Sequence, residues 1–202
     1  YGVCGYKDVK KHLELRKKID WFNEYYQKGL RIKIVMLEEG GYQGMLEYIP
    51  GEYAHRPVNA DNYMFIHCIF VGFKNEYKGK GLATSLIREC IKETKEKNMN
   101  GIAVVTRKGS FMAKKAIFLK LGFKLVDEIE PDFELLALKF KENVPIPSFK
   151  DISKKLDKYK KGLTILRSAQ CPYTEKNVNE IIKTAQNKYK LDVNLIEIKS
   201  AK

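Results

Sequence analysis

The chain has 202 residues, 44% of them hydrophobic, and is long enough to bury the core of one large domain or two small ones. Its net charge of +13 favours anionic partners. The lysines are dispersed along the chain, however, so nucleic-acid binding is the least favoured function. Four widely spaced cysteines without a C-x-x-C pair exclude a disulfide framework and a zinc ribbon. We therefore expect a reducing, cytoplasmic location, with no metal site, membrane span or signal peptide.

Apolar residues recur at helical intervals from Lys7 to Lys28, which predicts an amphipathic first helix ending at Gly29. The stretch Tyr63–Phe73 is rich in β-branched and aromatic residues and predicts a central, buried strand. A loop bearing glycine and lysine follows it, and an amphipathic helix begins at Leu82. A short helix is predicted at Ala113–Leu121, and further strands at Ile32–Leu37, Tyr42–Ile49, Ile102–Thr106, Phe123–Val126 and Phe133–Phe140.

Two prolines in the stretch Val144–Ser148 disfavour regular structure, so we predict a linker over residues 144–149. It would join a first domain, residues 1–143, to a second, residues 150–202. The second domain is predicted to hold a short helix at Asp151–Tyr159 and then a βαβ unit. The members of this unit are Leu163–Leu166, Thr174–Tyr189 and Leu191–Ile198.

The loop after the central strand reads Glu76-Tyr77-Lys78-Gly79-Lys80-Gly81-Leu82-Ala83. A helix N-terminus leaves about four backbone N–H groups unpaired, and its dipole favours negative charge. Gly79 and Gly81 let the backbone approach a ligand closely, and the lysines add positive charge. The loop therefore predicts a phosphate-binding site, with a solvated lysine-rich turn as the alternative.

This loop, followed about 40 residues later by a short helix and Leu121-Gly122-Phe123, resembles the GNAT superfamily of N-acetyltransferases. In that family a Q/R-x-x-G-x-G/A signature holds the pyrophosphate of acetyl-CoA. The resemblance covers roughly residues 1–143. It implies an α/β (α+β) fold with a central mixed, mostly antiparallel sheet flanked by helices. It also implies cofactor contacts at Val71, Phe73, Tyr77, Lys78, Gly79, Lys80, Gly81, Leu82, Ala83, Thr84 and Phe118.

The sequence departs from the family pattern at three positions. Glu76 occupies the first place of the signature, a tolerable change because the cradle binds through backbone N–H groups. Phe111 and Phe118 occupy places where the family often has Asn and Tyr, and the Tyr often protonates the departing thiolate. Phe118 has no proton to give, so that general acid is absent.

Acetyl transfer to an amine needs a group that removes a proton. His67, on the central strand, is near the place of a strand carboxylate in the family, and its ordinary pKa suits proton transfer at neutral pH. A buried core histidine is the alternative interpretation. Glu47 on the preceding strand is the second candidate, and the loop carboxylates Glu52 and Asp61 are rivals. Strand alternation places Cys68 on the face opposite His67, as a core residue.

Cys171-Pro172-Tyr173-Thr174 follows a strand and opens a helix, which resembles the active-site turn of thioredoxin-like proteins. A cysteine at a helix N-terminus is readily deprotonated, so Cys171 is a candidate thiol-reactive residue, with a structural Cys-Pro turn as the alternative. The order of the two units resembles that of the YoaP-type acetyltransferases. A full thioredoxin-like fold needs more strands than residues 150–202 supply.

We therefore predict an N-acetyltransferase that uses acetyl-CoA and an amine of a small molecule or peptide. The sequence is also compatible with assembly of the chain as a homodimer. The alternative is a non-catalytic acyl-CoA-binding module whose second domain makes thiol or protein contacts.

Overall fold

The computed structural model describes residues 11–39, 41–72, 75–109, 112–153, 159 and 161–199. Within these ranges the chain alternates helices and strands, with one-turn 3₁₀ helices at Gly51–Tyr53 and Asn75–Tyr77. The elements are α1 (Leu13–Tyr26), β1 (Arg31–Leu37), β2 (Gly41–Pro50), β3 (Val58–Asn59), β4 (Tyr63–Val71), α2 (Leu82–Glu96), β5 (Gly101–Arg107), α3 (Ala116–Leu119), β6 (Lys124–Ile129), β7 (Phe133–Lys139), β8 (Ser148–Phe149), β9 (Leu163–Arg167), α4 (Pro172–Tyr189) and β10 (Val193–Glu197). In the part of the chain so described, no helix is long and apolar enough to span a membrane.

Six strands form one sheet in the order β1-β2-β4-β5-β7-β6. Every neighbouring pair is antiparallel except β4 and β5, which are parallel. The predicted mixed, mostly antiparallel sheet flanked by helices is therefore confirmed. The β4–β5 ladder joins Tyr63–Ile66 to Gly101–Val104 and then stops, although both strands continue. The sheet is consequently open between the carboxyl ends of its two parallel strands.

The main apolar core lies between the sheet and α2. The spacing of Leu86, Ile87, Cys90 and Thr94 puts these residues on one buried face of α2, as helical periodicity requires. They pack with strand residues of that face, which include Leu46, Tyr48, Met64, Ile66, Ile102, Val104 and Leu136. α1 covers the other face, where Trp21, Tyr25 and Ile49 belong to a second cluster. Burial of such side chains gives each roughly 1.5–3 kcal/mol of stabilisation.

The segment 144–149, which the prolines mark as a linker, packs against the first unit. Ser148 and Phe149 form β8, which pairs with β3, and Tyr63 donates a 2.7 Å hydrogen bond to the carbonyl of Pro145. Neither strand is predicted from the sequence, because each is only two residues long. The division of the chain into two domains stays a prediction.

The C-terminal unit contains the predicted strand, helix and strand, and β10 pairs in parallel with β9. α4 packs against α1, and the hydroxyl of Tyr25 donates to the carbonyl of Lys199. Residues 1–10 and 154–158 lie outside the described ranges, so the predicted start of the first helix and most of the helix at Asp151–Tyr159 are not described.

Candidate functional site

β4 carries a β-bulge at the point where it separates from β5. On its other side, Tyr48 of β2 pairs with Ile66 and Glu47 pairs with Cys68, so His67 is the extra residue between them. Bulges occur often beside active sites because they redirect side chains and end regular pairing. Here the bulge and the end of the β4–β5 ladder coincide, which makes this part of the sheet a candidate site.

The bulge changes which face of the sheet each later residue of β4 occupies. Ile69 and Val71 pack against the same apolar cluster as Met64 and Ile66. Cys68 therefore lies on the opposite face, the one that His67 also occupies. The prediction that Cys68 and His67 lie on opposite faces is wrong, because simple alternation does not hold across a bulge.

The glycine loop ends directly at the N-terminus of α2. Gly79 and Gly81 have φ of 75° and 78°, in the left-handed region, and a Cβ added to either would meet nothing within 4 Å. Gly81 is the N-cap of α2, and no side chain caps that end of the helix. The first-turn N–H groups therefore point into an open, glycine-lined space, as a phosphate site requires.

The structure places most of the predicted cofactor contacts around this turn. Val71 ends β4, and Lys78 Nζ donates a 2.6 Å hydrogen bond to Asn75 Oδ1 within the loop. Exposed or half-buried positions around the same turn are held by Tyr77, Lys78, Gly79, Lys80, Gly81, Leu82, Ala83 and Thr84. Phe73 and Phe111 lie outside the described residues.

Phe118 is placed differently from the other predicted cofactor contacts. Its side chain is fully buried in the core beneath α3, with its ring centroid 5.4 Å from that of Phe123. Phe118 is therefore a core residue and does not line the surface of a groove. The prediction that its side chain contacts the cofactor therefore needs correction, and the absence of a proton donor there stands.

His67 and Glu47 belong to a buried polar cluster on the α1 face of the sheet. The Nε2 atom of His67 accepts a 2.9 Å hydrogen bond from the backbone N–H of His55. The ring proton of neutral His67 is therefore on Nδ1, which lies 3.3 Å from Glu47 Oε1 without regular hydrogen-bond geometry. Lys18 of α1 forms an ion pair with Glu47, and both side chains are almost wholly buried.

The charge states of this cluster follow from its burial and its partners. Burial alone would raise the pKa of Glu47, but the charge of Lys18 and the contact with His67 outweigh it and lower that pKa to about 2. Burial lowers the pKa of His67, and the nearby Glu47 only partly offsets this. Glu47 is therefore a fixed carboxylate, and His67 is a neutral imidazole whose accepting nitrogen is already occupied.

The loop before Cys171 closes over this cluster. Lys18 Nζ donates a 2.6 Å hydrogen bond to the carbonyl of Gln170, whose side-chain Nε2 donates at 2.7 Å to Glu47 Oε1. His55 Nδ1 lies 2.8 Å from Ser168 Oγ. The C-terminal unit thus supplies hydrogen bonds to Glu47, Lys18 and His55.

Trp21 of α1 packs against the same cluster. Its indole Nε1–H donates a 3.2 Å hydrogen bond to His55 Nε2, and the two ring centroids are 5.2 Å apart. His55 therefore carries its proton on Nδ1, which can donate to Ser168. Burial is the main cause that lowers the pKa of His55 to about 3.

Sequence reasoning missed His55, Lys18 and Gln170. One signal was present, because Lys18 stands at helical spacing between the apolar residues Leu15 and Trp21, where a core side chain is expected. A lysine there requires a buried partner. The partners come from distant segments, which a local pattern does not reveal.

The rival carboxylates lie elsewhere. Glu52 Oε1 accepts a 2.8 Å hydrogen bond from the N–H of Asn62, the residue before β4, and Asp61 is exposed beside it. The sheet opens at the other end of β4, after Ile66. Neither carboxylate therefore belongs to the opening.

Residues 6–123 match the family model described as Acetyltransferase (GNAT) family. The chain is 34% identical over 145 residues to the uncharacterised N-acetyltransferase YoaP of Bacillus subtilis (strain 168). That alignment covers 71% of this chain and 57% of YoaP, so the matched region spans little more than half the length of this relative.

Two solved structures are similar to part of this chain. A protein assigned as a streptothricin acetyltransferase from Bacillus anthracis str. Ames, in complex with acetyl coenzyme A, is 25% identical with a TM-score of 0.46 over 59% of this chain and 68% of its own. PaiA N-acetyltransferase from Thermoplasma acidophilum, in complex with coenzyme A, is 20% identical with a TM-score of 0.46 over 67% of this chain and 80% of its own.

Proposed function

Because the chain belongs to the acetyltransferase (GNAT) family, we propose that it is an acetyl-CoA-dependent N-acyltransferase acting on an amine of a small molecule or peptide. One observation carries the proposal furthest: the left-handed, unobstructed turn Gly79–Gly81 leads into the uncapped N-terminus of α2. This end of the helix lies at the same edge of the sheet as the opening between β4 and β5. Phosphate groups and a reacting carbonyl would therefore have neighbouring sites.

The residues of this turn fit the pyrophosphate of coenzyme A. Their backbone N–H groups bind anions without help from side-chain identity, so Glu76 at the first signature position is compatible with the site. Lys78 and Lys80 add positive charge from exposed positions. When bound, acetyl-CoA supplies the thioester that the amine attacks.

The end of the β4–β5 ladder gives the thioester a place to lie. Beyond Ile66 and Val104 the two strands no longer pair, so the edge of β4 from His67 to Val71 can contact an extended ligand with its backbone. Backbone N–H groups held rigidly in a sheet stabilise a developing oxyanion because they need little reorganisation. We assign this role to the part of β4 after the bulge.

We propose that His67 and Glu47 act as positioning residues. The accepting nitrogen of His67 holds the His55 N–H, and the carboxylate of Glu47 is neutralised by Lys18. Neither group is available to take a proton from the amine, which therefore loses it to water. The cluster instead fixes the bulge that ends β4–β5 pairing.

For the C-terminal unit we propose a thioredoxin-like βαβ element in which Cys171 precedes α4. Support comes from the parallel β9–β10 pair and from Pro172 in the first turn of the helix. Its loop at Ser168–Gln170 joins it to the buried cluster of the first unit. A thiol-reactive role for Cys171 is part of this proposal.

Calorimetry with acetyl-CoA, followed by measurement of thiol release over a panel of amines, tests the function. We expect tight binding and release of CoA with at least one class of amine. Failure to bind acetyl-CoA would refute the proposal. Binding without turnover of any amine would favour a non-catalytic acyl-CoA-binding module, which the missing proton donor at Phe118 keeps as the second candidate.

A further inference from the structure

The loop Ser168–Gln170, which follows β9 and precedes α4, contacts the α1 face of the sheet with each of its residues. Ser168 Oγ lies 2.8 Å from Nδ1 of His55, and Ala169 packs against the apolar cluster that contains Trp21. All three loop residues are half-buried. Specific contacts therefore hold the C-terminal unit against the buried polar cluster.

Gln170 joins this loop to the polar cluster at two points. Its carbonyl accepts a 2.6 Å hydrogen bond from Lys18 Nζ, and its Nε2 donates at 2.7 Å to Glu47 Oε1. The same Oε1 lies 3.3 Å from Nδ1 of His67, whereas the other carboxylate oxygen pairs with Lys18. In the part of the chain that the structure describes, Gln170 is the one donor with regular geometry to the oxygen that faces His67.

Glu47 is placed exactly where β4 changes its pairing. It is the cross-strand partner of Cys68, the residue after the bulge, and its side chain approaches His67, the bulged residue itself. The backbone of β4 from His67 to Val71 is the stretch to which we assign the thioester contacts. Oxyanion donors must lie within about 2.7–3.1 Å of the developing charge, so small shifts of this stretch affect the reaction strongly.

We infer that Gln170 is a positioning residue for acetyl transfer, because it fixes the carboxylate of Glu47 against His67 and thereby the bulge that shapes the reacting edge of β4. The inference rests on the proposed acetyltransferase function. It makes the C-terminal unit a contributor to the catalytic geometry of the first unit. Gln170 acts through Glu47 and needs no contact with either substrate.

The charges around Glu47 suggest a sharp test of this inference. Lys18 from α1 already pairs with Glu47, so a second carboxylate at position 170 would lack a cation of its own. A carboxyl group in Gln170→Glu should therefore have a pKa above its ordinary value of about 4.3. When protonated it can donate to Glu47 as Gln170 does, and when ionised it repels Glu47. The other titratable groups around Glu47 are His67 and Cys68 of β4 and His55 and Arg56 of the loop before β3.

The first measurement uses Gln170→Met in the full chain, which keeps the length of the side chain and removes its donor. With an amine that the wild-type protein acetylates, kcat should fall by about tenfold, because the loss concerns the geometry of the reacting strand. The Kd for acetyl-CoA, measured by calorimetry, should stay within about twofold of wild type. Circular dichroism under the assay conditions confirms that the variant is folded.

The second measurement follows kcat of Gln170→Glu, relative to wild type, from about pH 5.5 to pH 8. The ratio should be near one at low pH and fall by about tenfold as the new carboxyl group ionises. Gln186→Glu, on the exposed surface of α4, adds the same charge to the same unit and should give a constant ratio. This readout is decisive even where Gln170→Met fails to fold.

Unchanged kcat in folded Gln170→Met, or a constant ratio for Gln170→Glu, would overturn the inference and leave the proposed function standing. Equal losses of kcat and of acetyl-CoA affinity in both Gln170 variants at every pH would overturn it too, because the contact would then serve stability alone. A wild-type protein that neither binds acetyl-CoA nor acetylates any amine would instead refute the proposed function itself.

Discussion

The side-chain Nε2 of Gln170 donates a 2.7 Å hydrogen bond to Oε1 of Glu47, 123 positions earlier in the chain. The carbonyl of the same Gln170 accepts from Lys18, the ion-pair partner of Glu47. One residue of the C-terminal unit thus satisfies both members of a buried charge pair in the first unit. This contact makes the stability of the two units interdependent.

Replacement of Gln170 by alanine should lower the free energy of unfolding by about 1–3 kcal/mol, because the buried carboxylate of Glu47 loses a donor that water does not replace. Urea denaturation measures the change. Gln186→Ala, on the exposed surface of α4, is the matched control and should change stability by less than about 0.5 kcal/mol. Equal stability of the two variants would show that the Gln170 contact does not form in solution.

Gly81→Glu should lower the affinity for acetyl-CoA by about 100-fold or more, because it places bulk and negative charge at the N-terminus of α2. Gly41→Glu is the control, since Gly41 also has positive φ, at 63°, and open space around a Cβ. Both substitutions carry a backbone cost, but only the first is at the predicted phosphate site. Retained affinity in Gly81→Glu, measured by calorimetry, would place the phosphate site elsewhere.

His67→Leu should lower kcat by about tenfold or more, whereas His67→Gln should keep most of the activity because its side chain can still accept the N–H of His55. Burial lowers the pKa of His67, so its removal should leave the pH dependence of kcat/KM between about pH 5.5 and 8 unchanged in shape. Loss of an ionisation in this range from the Gln variant would instead identify His67 as the general base.

A fall in pH should lower the free energy of unfolding already at pH values at which ordinary carboxylates are still ionised. The pKa of His55 is about 3 in the folded protein and about 6.5 when unfolded, so the unfolded chain binds the proton more readily. The contribution of His55 to the free energy of unfolding is complete above about pH 6.5. It is lost as the pH falls towards 3, by about 2 kcal/mol between pH 7 and pH 5. Urea denaturation at several pH values measures it.

His55→Gln should flatten that pH dependence by about one proton. Glu47 adds a further loss at lower pH, because its folded pKa of about 2 lies below its unfolded value. Stability that is constant from pH 7 to pH 5 would contradict the burial of His55.

The sheet, its helices and the glycine loop could be predicted because each follows from local pattern. Helical periodicity of apolar residues predicts α2 and its buried face, and a run of β-branched and aromatic residues predicts β4. The tight turn before α2 was recognisable because glycine is required for left-handed backbone, as at Gly79 and Gly81.

The polar cluster could not be predicted in the same way. The bulge at His67 depends on how β2 and β4 pair, and a shift of one residue reverses the face of Cys68. The roles of His55 and Gln170 depend on contacts between segments far apart in the sequence. Proximity of this kind is a property of the packed chain, and no spacing in the sequence encodes it.

Trp21 is the only tryptophan of the chain, and its indole N–H is bonded to His55, which in turn contacts Ser168. Its fluorescence therefore arises from one known position beside His55. Since a protonated imidazole quenches a neighbouring indole, the emission intensity should follow the ionisation of His55. The emission of Trp21 should therefore report, without any label, whether the C-terminal unit contacts His55.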